Sequence, residues 1–221
     1  MSQEDDSSPP SALTSELYLQ WRNPRRGDAN PTRLTNPVWA WIARQPELNA
    51  YAANAHFAGP SSLSAGPAWC NQRYGQSRTT LADGRVIAIA GEHEDAYDAD
   101  FFIYNDVIVT LPSGAIEIFG YPKDVFPPTD FHSATLVGER IWIVGCLGYQ
   151  AERGVGATPV FTLDTASFAI ERVVADGESP GWIYDHRAQL SADGRTIVVS
   201  GGKRTIIPGI AGIAGDRKSV V

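Results

Sequence analysis

Six titratable residues fall within nine positions: Glu92, His93, Glu94 and Asp95, with Asp98 and Asp100 close behind. They follow a predicted apolar strand, where a loop can present side chains to a ligand. Carboxylates alone suit calcium, and carboxylates with an imidazole suit a transition metal. The spacing is neither that of an EF-hand nor the HExxH pattern of a zinc site, so no metal ligand set is assigned. The run reads first as a charged surface loop and second as a ligand-facing one. Trp182, in a loop between two repeating segments, adds an aromatic that can stack on a ligand, although packing between segments is its plainer role. These seven residues form the candidate ligand-binding set. No catalytic residue is assigned.

Other reactive side chains carry less. Asp130, His132 and Ser133 are close along the chain, but a nucleophilic triad is a matter of spatial geometry. His132 and His186 recur at one position of a repeat. That recurrence predicts a shared structural part, such as a bond to a backbone carbonyl within each segment. Cys70 and Cys146 lack any CxxC or ligand-like spacing and read as two reduced, semi-buried thiols. The basic cluster Arg22, Arg25 and Arg26 reads as a solvated loop. The tripeptide Arg26-Gly27-Asp28 is a coincidence in a chain with no secretion signal.

The composition bounds the partners. With 221 residues, 43% hydrophobic and 19% charged, the chain is an ordinary globular one, and 21 glycines and 15 prolines favour a turn-rich β fold. A net charge of -7 argues against a nucleic-acid partner. Met1–Pro10 lacks the apolar core of a secretory signal, and no stretch approaches the roughly 20 apolar residues of a membrane span. A cytoplasmic location, no membrane partner and no cofactor are the resulting expectations.

The elements that position these residues follow from a pattern recurring at about 55-residue spacing. Its copies are Ser77 to Gly91, His132 to Gly145 and His186 to Gly202. Each reads as strand, tight polar turn, apolar strand, then glycine. Val86–Ala90 is a predicted buried strand, followed by Tyr104–Leu111, a turn at Pro112-Ser113-Gly114, and Ala115–Phe119. The second copy repeats this with Pro159–Leu163, a turn at Asp164–Ser167, and Phe168–Val174. Four strands per unit form a meander that must stack on its neighbours, because one sheet cannot bury both faces. Upstream, Asn36-Pro37 predicts a helix start, with Val38, Trp41 and Ile42 on one face. A second helix is predicted from Pro46, with Leu48, Tyr51, Ala52 and Ala55 on one face. The divisions are a disordered leader over 1–16, a helical extension over 17–72, repeating sheets over 73–205 and a tail over 206–221.

Gly201-Gly202, the degenerate pairs Ala90-Gly91 and Gly145-Cys146, and Tyr104-Asn105-Asp106-Val107 resemble the kelch β-propeller family. So do Pro127 to Ala134 and Asp185-His186-Arg187-Ala188, which look like the segments opening new kelch units. The resemblance covers roughly Arg73 to Lys203. It departs where the family's fourth strand carries a Trp: Ile118 and Ile170 stand near that place. It implies an all-β, kelch-like propeller fragment of about two to three four-stranded blades with a short helical N-terminal extension. It also implies a scaffold whose loops bind a protein partner, or alternatively a carbohydrate oxidase or mutarotase with its site partly in further blades. An oxidase of that kind would need a copper site of Tyr and His ligands and a Cys–Tyr crosslink.

Propellers close with about four to eight blades. The tail Asp216 to Val221 can be back-translated as GAT CGG AAG AGC GTC GTG, a string from a widely used short-read sequencing adapter. The expectation is therefore a truncated reading frame with an artefactual tail that adds no third strand to the last unit, and a poorly soluble fragment.

Overall fold

The computed structural model describes residues 12–45, 48–94, 96–154 and 156–205, and the backbone of residues 219 and 220. Most of the expected leader lies outside the described residues. It ends sooner than expected, because helix α1 (Ser15–Trp21) starts where the Thr14 hydroxyl accepts the Leu17 N–H, and Tyr18 is buried. The two-residue strand β1 (Thr32–Arg33) follows. Helix α2 (Pro37–Ala43) begins as predicted: the Asn36 side chain accepts N–H groups from Val38 and Trp39, and Pro37 occupies the first turn. Helix α3 (Ala50–His56) corrects the sequence reading. It is capped by Asn49, three residues beyond Pro46, which lies outside the described residues. The later start turns another face inward: Ala50, Ala53 and the following Phe57 are buried, while Tyr51, Ala52 and Ala55 are exposed. The short helix α4 (Ser62–Ala65) completes this layer.

Three antiparallel strand units follow. The first is β2 (Ser77–Thr80), β3 (Val86–Ile89), β6 (Val107–Thr110) and β7 (Ile116–Gly120), with a small hairpin, β4 (Glu92–His93) and β5 (Phe102–Ile103), between β3 and β6. Strand β1 extends this sheet beyond β7. The second is β8 (Ser133–Val137), β9 (Arg140–Val144), β10 (Val160–Asp164) and β11 (Ile170–Arg172). In the third, β12 (Ile183–Tyr184) pairs β15 (Lys203–Arg204), and β13 (Arg187–Leu190) pairs β14 (Ile197–Ser200). The predicted four-strand meander is present in the first two units. The strand expected from Tyr104 starts only at Val107, because Asn105 turns its amide to the carbonyls of Tyr121 and Phe126. Phe168 stands at φ 59° in the turn before β11 rather than within the strand.

Of the tail, β16 (Ser219–Val220) lies within the described residues. It pairs antiparallel with Val198 and Val199 of β14, the place where no third strand was expected. The unpaired N–H and C=O groups along β14 are a template for such an addition.

Alternation along the strands divides the core into three bands. Ile87, Ile89, Val107, Val109 and Phe119 of the first sheet face Ile141, Ile143, Phe161 and Leu163 of the second. Val144 and Val160, on the other face of the second sheet, meet Ile197 and Val199 of the third. The opposite face of the first sheet, Ala88, Ile108 and Ile118, is covered by the helical layer through Val38, Trp39, Trp41 and Trp69. Trp39 and Trp69 stack at 5.1 Å within that layer.

The first strands of the three units lie side by side. Just before each stands a residue in the left-handed region: Gly75 (φ 61°), Phe131 (φ 48°) and Asp185 (φ 55°). Their backbones form a ladder between units, with Asp185 N–H donating to Phe131 O at 2.8 Å and Phe131 N–H to Gly75 O at 2.9 Å. Beside it, His132 Nε2 meets Ser77 Oγ at 2.7 Å and His186 Nε2 meets Ser133 Oγ at 2.9 Å. The two histidines therefore do share a part, but each reaches a hydroxyl of the preceding sheet rather than a carbonyl of its own unit. Gly202 (φ 82°) closes the third unit because any Cβ there would stand 2.6 Å from His186 Cβ and 2.7 Å from Tyr184 O.

Two further expectations are corrected. Arg22 is not solvated: it is 2% exposed, and its guanidinium donates to the carbonyls of Ala65 and Gly66. Cys70 and Cys146 are fully rather than partly buried. Among the described residues no helix is long and apolar enough to cross a membrane.

Candidate functional site

The β4–β5 hairpin places the charged run. Glu92 pairs Ile103, His93 pairs Phe102, and Tyr74 and Glu92 exchange two backbone bonds that tie the hairpin to the opening of the first unit. The run is thereby divided. His93 and Asp100 are buried, Glu92 and Glu94 are half-buried, and Asp98 is exposed beside Tyr97, itself 92% exposed. Asp95 lies outside the described residues.

His93 joins two groups. Its Nδ1 lies 3.3 Å from Cys70 Sγ, while its Nε2 lies 3.5 Å from Glu94 Oε1 and 3.9 Å from Asp100 Oδ2. Burial lowers its pKa, against the pull of the Asp100 carboxylate, and so favours the neutral ring. Tyr51, from α3, brings its ring to 6.1 Å from the imidazole. Desolvation and the Asp100 and Glu94 charges push its hydroxyl up to about 12. Tyr51, Asn54, Leu63, Asp98 and Asp100 line an open cleft of ≈ 530 Å³ between the helical layer and the hairpin.

Behind the hairpin lies a cluster that sequence reasoning missed. The Arg73 side chain is wholly buried and forks onto Asp106, with Nη1 to Oδ1 at 2.5 Å and Nη2 to Oδ2 at 3.0 Å. Its Nε donates to Cys70 O at 2.7 Å, and its guanidinium stacks 3.4 Å from the Tyr104 ring centroid. Trp69 Nε1 donates to the same Asp106 carboxylate at 2.9 Å. Such an ion pair is stable only when its hydrogen-bonding groups are matched, as they are here. No local motif announces it, since Arg73 and Asp106 are 33 residues apart.

The neighbouring loops are braced together. The Asp130 carboxylate accepts the Gly148 N–H at 2.6 Å, and Ile103 N–H donates to the Tyr149 hydroxyl at 2.9 Å. Arg153 donates to the carbonyls of Leu147 and Gly148. Trp182 donates to Leu147 O at 3.1 Å, with its ring over Gly148 and Gly154. It braces the two loops and stays half-buried. Asp130 is fully buried, and burial raises its pKa, while the Gly148 N–H and a hydrogen bond with Glu92 work the other way. The sequence singled out both carboxylates without signalling that they meet.

These side chains can bind and position, but they present no activated nucleophile. Burial pushes the Cys70 thiol up, Arg73 only partly opposes it, and a thiol reacts as thiolate. Ser133 turns to His186 and His132 to Ser77, so Asp130, His132 and Ser133 form no triad. A copper site of the oxidase kind does not fit either. Cys70 Sγ lies 3.7 Å from the Tyr104 hydroxyl oxygen, the group is sealed from solvent, and His93 is its one imidazole. Among the described residues no three His, Cys, Asp or Glu side chains form a group able to hold a metal ion. No known family model matches the chain, and no curated protein matches it.

Proposed function

We propose that this chain is a kelch-like, propeller-type scaffold that binds a protein partner through the loops at one end of its stacked sheets. The asymmetry of the two ends carries this reading. At one end the strands are joined by tight turns, at residues 81–85, 111–115, 138–139 and 165–169. At the other end lie the long connections 90–106, 121–132, 145–159 and 173–182, cross-braced by Asp130, Tyr149, Arg153 and Trp182. Long loops held on a rigid scaffold are where binding residues concentrate, and bracing them beforehand lowers the entropy lost on association. Exposed Tyr97 and Leu63 beside Asp98 supply the aromatic, apolar and charged contacts a protein surface recognises.

The test is site-specific photocrosslinking of the full chain from position 97, position 63 and, as a control at the tight-turn end, position 193. One protein captured from 97 and 63 but not from 193 is the expected result. Equal capture from all three positions, or none, overturns the proposal.

A further inference from the structure

The segment from Arg22 to Asn36 builds a second cleft, of opposite character to the one beside Asp98. It has a volume of ≈ 400 Å³, and its lining includes Trp21, Arg25, Arg26, Arg33, Leu34 and Trp39. Asp28 is the one carboxylate on that lining, and its Oδ1 already accepts the Thr32 hydroxyl. Three arginines thus border one concavity of a chain whose net charge is -7, Arg33 ion-paired with Glu117 at 2.6 Å and Arg25 and Arg26 left for a ligand. A local excess of positive charge in an acidic protein draws anions to that place.

The cleft is built rather than incidental. Arg22 and Asn23 fasten the start of the segment to the carbonyls of residues 65–67. Gly27 packs so closely on Gly120 that a Cβ would stand 2.3 Å from its carbonyl oxygen. Asn30 exchanges two hydrogen bonds with the Ile170 backbone, at 2.8 and 2.9 Å, and β1 pairs with β7. A loop held at four places keeps its guanidinium groups in position before any ligand arrives.

The donors are also available. Arg25 lies 4.1 Å over the Trp21 ring and gives one N–H to Gln20 O. Arg26 lies 5.3 Å from the Phe102 ring and is exposed. Arg33 gives one N–H to Glu117. Each guanidinium has five N–H donors in a planar fork that matches the oxygens of a phosphate or carboxylate. Beneath them half-buried Leu34 offers an apolar floor, with Trp39, 1% exposed, behind it in the helical layer.

We propose that this cleft binds a small organic oxyanion, its acid group held by Arg25 and Arg26 and its apolar body against Leu34. The assignment is independent of the protein-binding loops. The test titrates the full chain by calorimetry with phenyl phosphate, inorganic phosphate and benzoate, in parallel with Arg26→Gln and with Arg78→Gln, an exposed arginine on β2. One saturable site for phenyl phosphate or benzoate is expected, weakened about tenfold or more in R26Q and unchanged in R78Q. Tighter binding of phenyl phosphate assigns a phosphate group, and tighter binding of benzoate a carboxylate. Comparable binding of inorganic phosphate refutes the role of the apolar floor. Failure of all three probes to saturate, or equal weakening in both variants, overturns the proposal.

Discussion

The two seams between sheets share one polar device and differ in what fills them. Each has a backbone bond between left-handed residues and a histidine reaching a serine of the preceding sheet: His132 to Ser77, and His186 to Ser133. The first seam is then filled with aromatics. Phe119 stacks on Phe168 at 4.5 Å, and Phe126 meets Phe161 edge-on at 5.4 Å. In the second seam the fully buried contacts are Val144, Val160, Ile197 and Val199, with Trp142 and Ile183 only partly covered. The hydrogen bonds fix how units register on one another, and the apolar filling sets how strongly each pair holds. Two seams that share one polar device are therefore expected to differ in strength.

The largest expected effect breaks the first seam. Phe161→Ala should cost about 3–5 kcal/mol in chemical denaturation, because a buried ring leaves a cavity that packed neighbours fill poorly. A loss near 1 kcal/mol would show the first seam to be no tighter than the second.

Acid should come next. Burial, with His186 nearby, pushes His132 down to about 3. Unfolded, the same ring titrates near 6.5, so between those values the unfolded chain holds a proton that the folded one does not. Stability is then complete above about pH 6.5 and falls by about 1.4 kcal/mol per unit on acidification, about 3 kcal/mol by pH 4.5. Burial lowers His186 as well, so it adds a loss of the same sign. His132→Gln should flatten the slope measured by denaturation at a series of pH values. An unchanged slope would assign it to other groups.

Removing the hydroxyls compares the seams directly. Ser77→Ala and Ser133→Ala each leave a buried ring nitrogen without a partner and should cost about 1–3 kcal/mol. The two losses should agree closely, and a wide gap between them would mean the bonds are not one repeated device. Smallest is Ile197→Val in the second seam, about 0.5–1.5 kcal/mol. A loss there as large as that of Phe161→Ala would invert the comparison.

The sequence made some of this legible and concealed the rest for physical reasons. Alternating apolar strands and recurring glycines announce the meander, because a residue such as Gly202 stands where no Cβ fits. Helix α3 was misplaced because Pro46 and Asn49 are both acceptable starts, and tertiary packing of Ala50 and Ala53 chose the later one. Recurrence showed that His132 and His186 act alike, but not which sheet they reach, since a repeat period carries no distance between units. At the candidate site the charged run was visible, yet which of its side chains are buried, His93 and Asp100, and which is exposed, Asp98, was decided by packing that spacing along the chain does not carry. Cys70, Arg73, Tyr104 and Asp106 meet only through the fold. The basic segment was misread because Arg22 and its neighbours look alike in sequence, although Arg22 is an anchor and Arg25 and Arg26 face solvent.

The helical layer also gives the stack a direction. Ala88, Ile108 and Ile118 form the surface on which a preceding sheet would rest, and Trp39, Trp41 and Trp69 already occupy it. A further sheet of the same kind would find that face already taken and would rest instead beyond β13 and β14, as bricks are laid from one side of a finished wall. A closed ring of such sheets would have to keep the helices as its keystone, a wedge of different material between the first course and the last.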